Sequence, residues 1–161
     1  IQGPVYLRFG RSKVPVLTTK QTPFKIGKAE VLRPGKKVTI VACGIMVYEA
    51  LVAAEKLAKQ RISAEVINCH TIKPIDKATL VKSAKKTKAV VTAEEHQVTG
   101  GLGSAITEYL SAVHPVPIIR VGVQDRFGES GEPAELLDAF ELSHPHIIKA
   151  VQNVLKRKNN A

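Results

Sequence analysis

Aromatic residues make up only 4% of this 161-residue chain, and cysteine occurs just twice. So few aromatics leave almost nothing on which single-stranded bases could stack. No apolar run approaches the roughly 20 residues of a spanning helix, so no membrane partner is expected. There is no C-x-x-C pair and no metal-ligand spacing of histidine and cysteine, which removes both metal-centre and thiolate-nucleophile chemistry. Cys43 and Cys69 each end an apolar, strand-like run, where a small thiol packs as a hydrophobe. Two reduced cysteines suit a cytoplasmic protein better than a disulfide framework. No charged segment followed by an apolar one stands ahead of the first strand in this sequence, so no export address is expected. The chain starts at Ile1, which reads as a cut edge and leads us to expect a fragment. Internal repeats and low-complexity tracts are lacking as well.

What is present is ordinary for one globular unit: 44% hydrophobic and 24% charged residues, in a length that buries a real core. The formal net charge of +10 invites a nucleic-acid reading, because a basic face attracts phosphate. Spacing argues against it. Lys36-Lys37, Lys82/Lys85-Lys86/Lys88 and Lys156-Arg157-Lys158 fall in separate turns or helix ends. Solvated lysine faces, with some matching of a helix C-terminal dipole, are the preferred explanation, and no nucleic-acid partner is expected.

Gly3 to Gly10 reads as a short strand, and the Pro- and Thr-rich residues after it, to Gly27, as a linker. Strands then alternate with helices. Ala29 to Leu32 is a short strand, and Val38 to Cys43 a buried parallel-type one. Val47, Ala50, Leu51, Ala54, Leu57 and Ala58 repeat at helical spacing up to about Lys59. Strand Ala64 to Asn68 follows, then a helix over Ala78 to Lys86 with Asp76 as its cap. Strand Lys88 to Thr92, helix Gly103 to Val113 and strand Pro117 to Val123 complete the alternation. Helices over Pro133 to Phe140 and Pro145 to Lys156 close the chain, each with proline in its first turn. This order implies a parallel sheet with helices on both faces.

The most informative stretch is Val90 to Gly103, VVTAEEHQVTGGLG. A strand runs into Glu94, Glu95 and His96, and paired glycines then open a helix, as where parallel α/β sheets present ligand-facing groups. The Gly100-Gly101-x-Gly103 turn could cradle a phosphate, but it is neither GxGxxG nor a Walker loop, and close helix-on-strand packing is the preferred use. Glu94 to His96 could do acid–base chemistry or contact a subunit, with structural hydrogen bonding preferred; only Glu94 and His96 can share a side. His70 follows Cys69 without a nucleophile's geometry. His114, His144 and His146 read as surface residues. Arg8 and Arg11, beside Gly10, could grip a phosphate bidentately or form an interdomain salt bridge, and spacing leaves the two open.

GPVYLRFGRSKVP, FKIGKAEVLRPGKKVTIVACG, EVINCHTIKPID, VVTAEEHQVTGGLGSAI and DRFGESGEPAELL occur here in an order that resembles transketolase carboxyl-terminal sections, from Gly3 to about Val154. The IGKAEVL and TIKPID blocks are shared with deoxyxylulose-phosphate synthase and 2-oxo-acid dehydrogenase beta subunits. FGESG, Phe127 to Gly131, looks more like transketolase. The resemblance implies a three-layer α/β/α fold whose five-stranded sheet is mixed and mostly parallel, with one antiparallel edge strand for which Ala29 to Leu32 is the candidate. It divides the chain into residues 1–12, the last strand of a truncated pyrimidine-binding domain; residues 13–28, a linker; and residues 29–157, the C-terminal domain. It implies ketol transfer from ketose phosphate to aldose phosphate, as in the pentose phosphate pathway. Thiamine diphosphate and Mg2+ would be bound by other domains and none by this fragment. The implied partners are the pyrophosphate- and pyrimidine-binding domains or subunit, a second copy in a homodimer, and sugar phosphates. The fragment alone would be an inactive scaffold. The family's phosphate-contacting arginine matches Arg11, with Arg8 as second choice, while Glu94, Glu95, His96, Gly100, Gly101 and Gly103 become a packing or interface loop. The readings set beside this one are the equivalent domain of a 2-oxo-acid dehydrogenase beta subunit or of deoxyxylulose-phosphate synthase, and a free-standing nucleotide- or phosphate-binding module.

Overall fold

The computed structural model describes residues 2–7 and 13–160. Residues 4–7 stand exposed, outside any sheet, so the strand expected over Gly3 to Gly10 finds no ladder partner in the part of it that is described. Residues 13–28 form turns only, as a Pro/Thr-rich segment should.

Beyond them the chain builds β1 (Glu30–Arg33), β2 (Val38–Ala42), α1 (Met46–Lys59), β3 (Ala64–Asn68), α2 (Lys77–Thr87), β4 (Val90–Gln97), α3 (Leu102–Val113), β5 (Ile118–Val123), α4 (Pro133–Ala139) and α5 (His144–Asn159). The sheet order is β1-β3-β2-β4-β5. All neighbours are parallel except β1, an edge strand antiparallel to β3. The expected mixed sheet and its antiparallel edge are both present.

The central strand VTIVA is buried throughout because both its faces are covered, which is why it reads as a continuous apolar run. Val38, Ile40 and Ala42 join the core under α1 and α5, and Val41 joins the core under α2 and α3. Thr39, the polar exception, meets Thr87 Oγ1 at 2.8 Å and donates to Glu65 at 3.3 Å. Glu65 is buried and pairs with Lys86. Along α1 the predicted stripe holds at Val47, Ala50, Ala54 and Leu57, while Ala58 faces outward.

Asp76 caps α2 as expected, accepting from Thr79 N–H at 3.1 Å. Its second oxygen accepts from Ala29 N–H at 3.0 Å, tying the start of β1 to the helix. The bounds of β4 differ most from the sequence reading. Lys88 is the left-handed C-cap of α2, with φ +55°, so β4 begins later and runs on to Gln97. Its far end stays in the sheet because Gln97 pairs with Val123 beyond an irregularity after Ala93.

Candidate functional site at the carboxyl ends of the central strands

From β2 the chain crosses to β3 by α1 on one face, and from β4 to β5 by α3 on the other. The loops leaving the carboxyl ends of β2 and β4 therefore diverge, which is where open α/β sheets form a ligand crevice. A cavity of about 330 Å³ lies there, lined by Cys43, Gly44, Ile72, Glu94, His96 and Gly101 among others.

Glu94, Glu95 and His96 occupy the end of β4 itself, not a loop after it. Strand alternation then sorts them. Glu94 is 1% exposed, and its carboxylate accepts from Leu102 N–H at 2.6 Å and Gly103 N–H at 2.7 Å. A buried carboxylate thus fills the helix N-terminus that could have held a phosphate, and it suits the positive end of the α3 dipole. The glycines serve this junction. A Cβ on Gly101 would lie 2.0 Å from Glu94 Oε2, and one on Gly103 would lie 2.7 Å from Thr92 Oγ1. Gly100, at φ +82°, makes the turn, and its N–H donates to Ser104 Oγ at 2.9 Å.

His96 lies on the Glu94 side, 3.1 Å from the same added Cβ, as alternation requires. Its Nδ1 donates to Gln97 O at 2.8 Å. Glu95 lines the same cavity and also borders a groove of about 830 Å³ whose apolar wall includes Val14, Ile45, Leu136 and Phe140. Glu129 and Glu132 add to its acidic rim.

Three features of this end escaped the sequence reading. Arg126 clamps the FGESG loop: it donates to Ala139 O at 3.1 Å, lies 4.2 Å over the Phe140 ring and pairs with Glu129. Phe127 consequently stands 96% exposed at the loop tip. Arg120 donates to Val98 O at 3.0 Å, holding the β4–α3 loop from β5. Gly122 lets that loop approach, since a Cβ there would lie 2.9 Å from His96 O. A glycine inside a strand is the one signal that could have pointed to it.

Both thiols are held away from the thiolate form. Burial, with the nearby Glu94 carboxylate, pushes Cys43 up to about 11, and burial, with Cys43 and Asp76, pushes Cys69 up to about 12. His70 stacks on Phe24, with ring centroids 4.6 Å apart. Arg8 and Arg11 lie outside the described residues. Among the described residues no group of three His, Cys, Asp or Glu could hold a metal ion. With the α3 N-terminus already filled by Glu94, the donor set does not fit Mg2+-diphosphate. Among the described residues no helix is long and apolar enough to cross a membrane.

A mixed five-stranded sheet in this order, covered by helices on both faces and with the α3 N-terminus filled by a carboxylate, defines a three-layer α/β/α domain. The family described as "Transketolase, C-terminal domain" matches residues 27–147, and the chain belongs to that family. Among its relatives, the 6-deoxy-6-sulfo-D-fructose transketolase subunit SqwH of Clostridium sp. (strain MSTE9) is 51% identical over 98% of this chain and 49% of its own length. Transketolase-like protein 1 of Bos taurus is 39% identical over 98% of this chain and 27% of its own. A solved split-gene transketolase, an inactive beta4 tetramer, superposes with a TM-score of 0.93 at 50% identity, over 98% of this chain and 52% of that one. The chain thus spans about half of SqwH and about a quarter of the bovine protein.

Proposed function

We propose that this domain completes and supports a thiamine-diphosphate-dependent transketolase that moves a two-carbon ketol unit from a ketose phosphate to an aldose phosphate. Thiamine diphosphate and Mg2+ belong to partner domains of the pyrophosphate- and pyrimidine-binding type, and the complete enzyme is a cytoplasmic homodimer. Residues 1–12 belong to the pyrimidine-binding domain, residues 13–28 link it, and residues 29–157 form the scaffold. When bound, the coenzyme supplies the carbanion carrier. This chain contributes packing and, through Arg11 or secondarily Arg8, a grip on the substrate phosphate.

One observation carries this reading: an apolar arm, residues 14–27, borders the carboxyl ends of the strands with most of its large apolar side chains exposed. Val5, Tyr6, Leu7, Val14, Val16, Phe24 and Ile26 are all exposed. The arm borders the groove at Val14, meets His70 through Phe24 and packs Gly27 on Pro74. Exposed apolar side chains gathered beside the groove support an interface there. The Glu94 junction supports the same reading, since it removes the anion cradle on which a free-standing phosphate module would depend.

Mixing the chain with its coenzyme-binding partner and following ketol transfer tests the proposal; oxidative decarboxylation of a branched 2-oxo acid would instead indicate a dehydrogenase subunit. A nucleotide-binding module would show itself by thermal stabilisation of about 2.7 kcal/mol at 100 times the dissociation constant. We expect none.

A further inference from the structure

The lysines that the sequence scatters over separate segments meet at one pole of the fold, opposite the arm. In a parallel sheet with antiparallel helices, the amino ends of the strands and the carboxyl ends of the helices share one end of the molecule. Lys36 and Lys37 stand in the turn before β2, bonded through their N–H groups to Ser63 O. Lys59 and Arg61 end α1. Lys85, Lys86 and Lys88 end α2. Lys156, Arg157 and Lys158 sit in the last turn of α5, and Lys158 Nζ donates to Thr87 O at 2.8 Å and to Lys37 O at 3.4 Å, joining three of these segments directly. All but Lys158 are exposed.

Nearby acids are few. Glu65 is buried and already paired with Lys86, and Glu55 stands one turn back along α1. The bland explanation, that lysines balance helix dipoles, falls short in magnitude. The carboxyl ends of α1, α2, α3 and α5 supply roughly half a negative charge each, about two in all, against ten cations. We propose that this basic pole binds the phosphate backbone of duplex nucleic acid, without reading its sequence.

Composition selects the duplex. None of the seven Tyr and Phe residues lies in these segments, so unpaired bases have nothing to stack on. Among the described residues, Val113 is the sole large apolar side chain exposed at this end, so the surface has no wedge to enter a lipid headgroup layer. Lysine-dominated charge suits phosphates as point contacts. Five strands about 4.8 Å apart make the pole about 20–25 Å across. That is enough to reach phosphates on both sides of a groove about 12 Å wide.

Fluorescence anisotropy with a short mixed-sequence DNA duplex tests this. The chain should bind at 50 mM salt and weaken about 10²–10³-fold by 200 mM, if roughly five phosphates are engaged. Lys36→Glu, Lys85→Glu, Lys156→Glu and Arg157→Glu together should abolish binding. Lys13→Glu, Lys20→Glu, Lys25→Glu and Lys73→Glu, with the same change of net charge away from the pole, should lose far less. A glutamine series at the first four positions decides the matter if the glutamate variant fails to fold. Absent binding, equal loss in both sets, or displacement of the duplex by phosphatidylglycerol–phosphatidylcholine vesicles would overturn the proposal.

Discussion

Glu94 decides what the most informative stretch of this sequence does. Two buried N–H groups depend on it, so Glu94→Ala should leave both without an acceptor and lower stability by about 2–4 kcal/mol, read by chemical denaturation. Gly101→Ala drives a methyl into the same carboxylate and should cost about 1–3 kcal/mol. If either variant were as stable as the parent, the junction would not be structural. Asp76 is a second point of leverage. Burial opposes its charge, but the N–H groups of Ala29 and Thr79, the Thr79 hydroxyl and the nearby Lys28 outweigh burial and hold its carboxyl below the usual aspartate range. A lowered folded pKa means stability that is fully present above the unfolded value and lost as pH falls through the folded one. The gap between the parent and Asp76→Ala, about 1–2 kcal/mol at neutral pH, should therefore shrink below about pH 4. In the complete enzyme, Arg11→Ala should weaken use of phosphorylated sugars by about 10- to 150-fold and spare unphosphorylated ones. Equal loss on both would refute that role.

Among elements, the FGESG loop shows how local contacts set exposure. Arg126 holds it through a carbonyl, a ring and a carboxylate, and Phe127 is thrust outward as a result. Arg126→Ala should raise amide exchange across residues 124–131 while leaving the thermal midpoint nearly unchanged, because that loop is exposed throughout. Most elements were legible in the sequence, and for a physical reason: a sheet covered on both faces writes continuous apolar runs, and Asp76 and the prolines punctuate the helices between them. The partners of Glu94 were not legible. Structural hydrogen bonding is the preferred reading of Glu94 from sequence, but only the return of α3 over the strand shows that its buried carboxylate accepts from the Leu102 and Gly103 N–H groups. Arg120 and Arg126 were equally hidden, since each acts on carbonyls distant along the chain.

Across the whole molecule, the two ends differ in chemistry. The carboxyl end carries the apolar arm, the acidic-rimmed groove and the exposed Phe127, all suited to another protein surface. The amino end is lysine-rich and, among the described residues, exposes almost no large apolar side chain. Sequence spacing kept its cations apart, and the topology brings them together, so an inference from spacing alone could not anticipate that pole. Family membership, by contrast, was readable along the whole chain, because the blocks that carry it are the strand ends and turns that fix the sheet order. Ketol transfer by the chain alone and after addition of the coenzyme-binding partner tests the scaffold role most directly. No turnover by the chain alone, and turnover on mixing, is the expected result; conversion of sugar phosphates by the unaccompanied chain would contradict it.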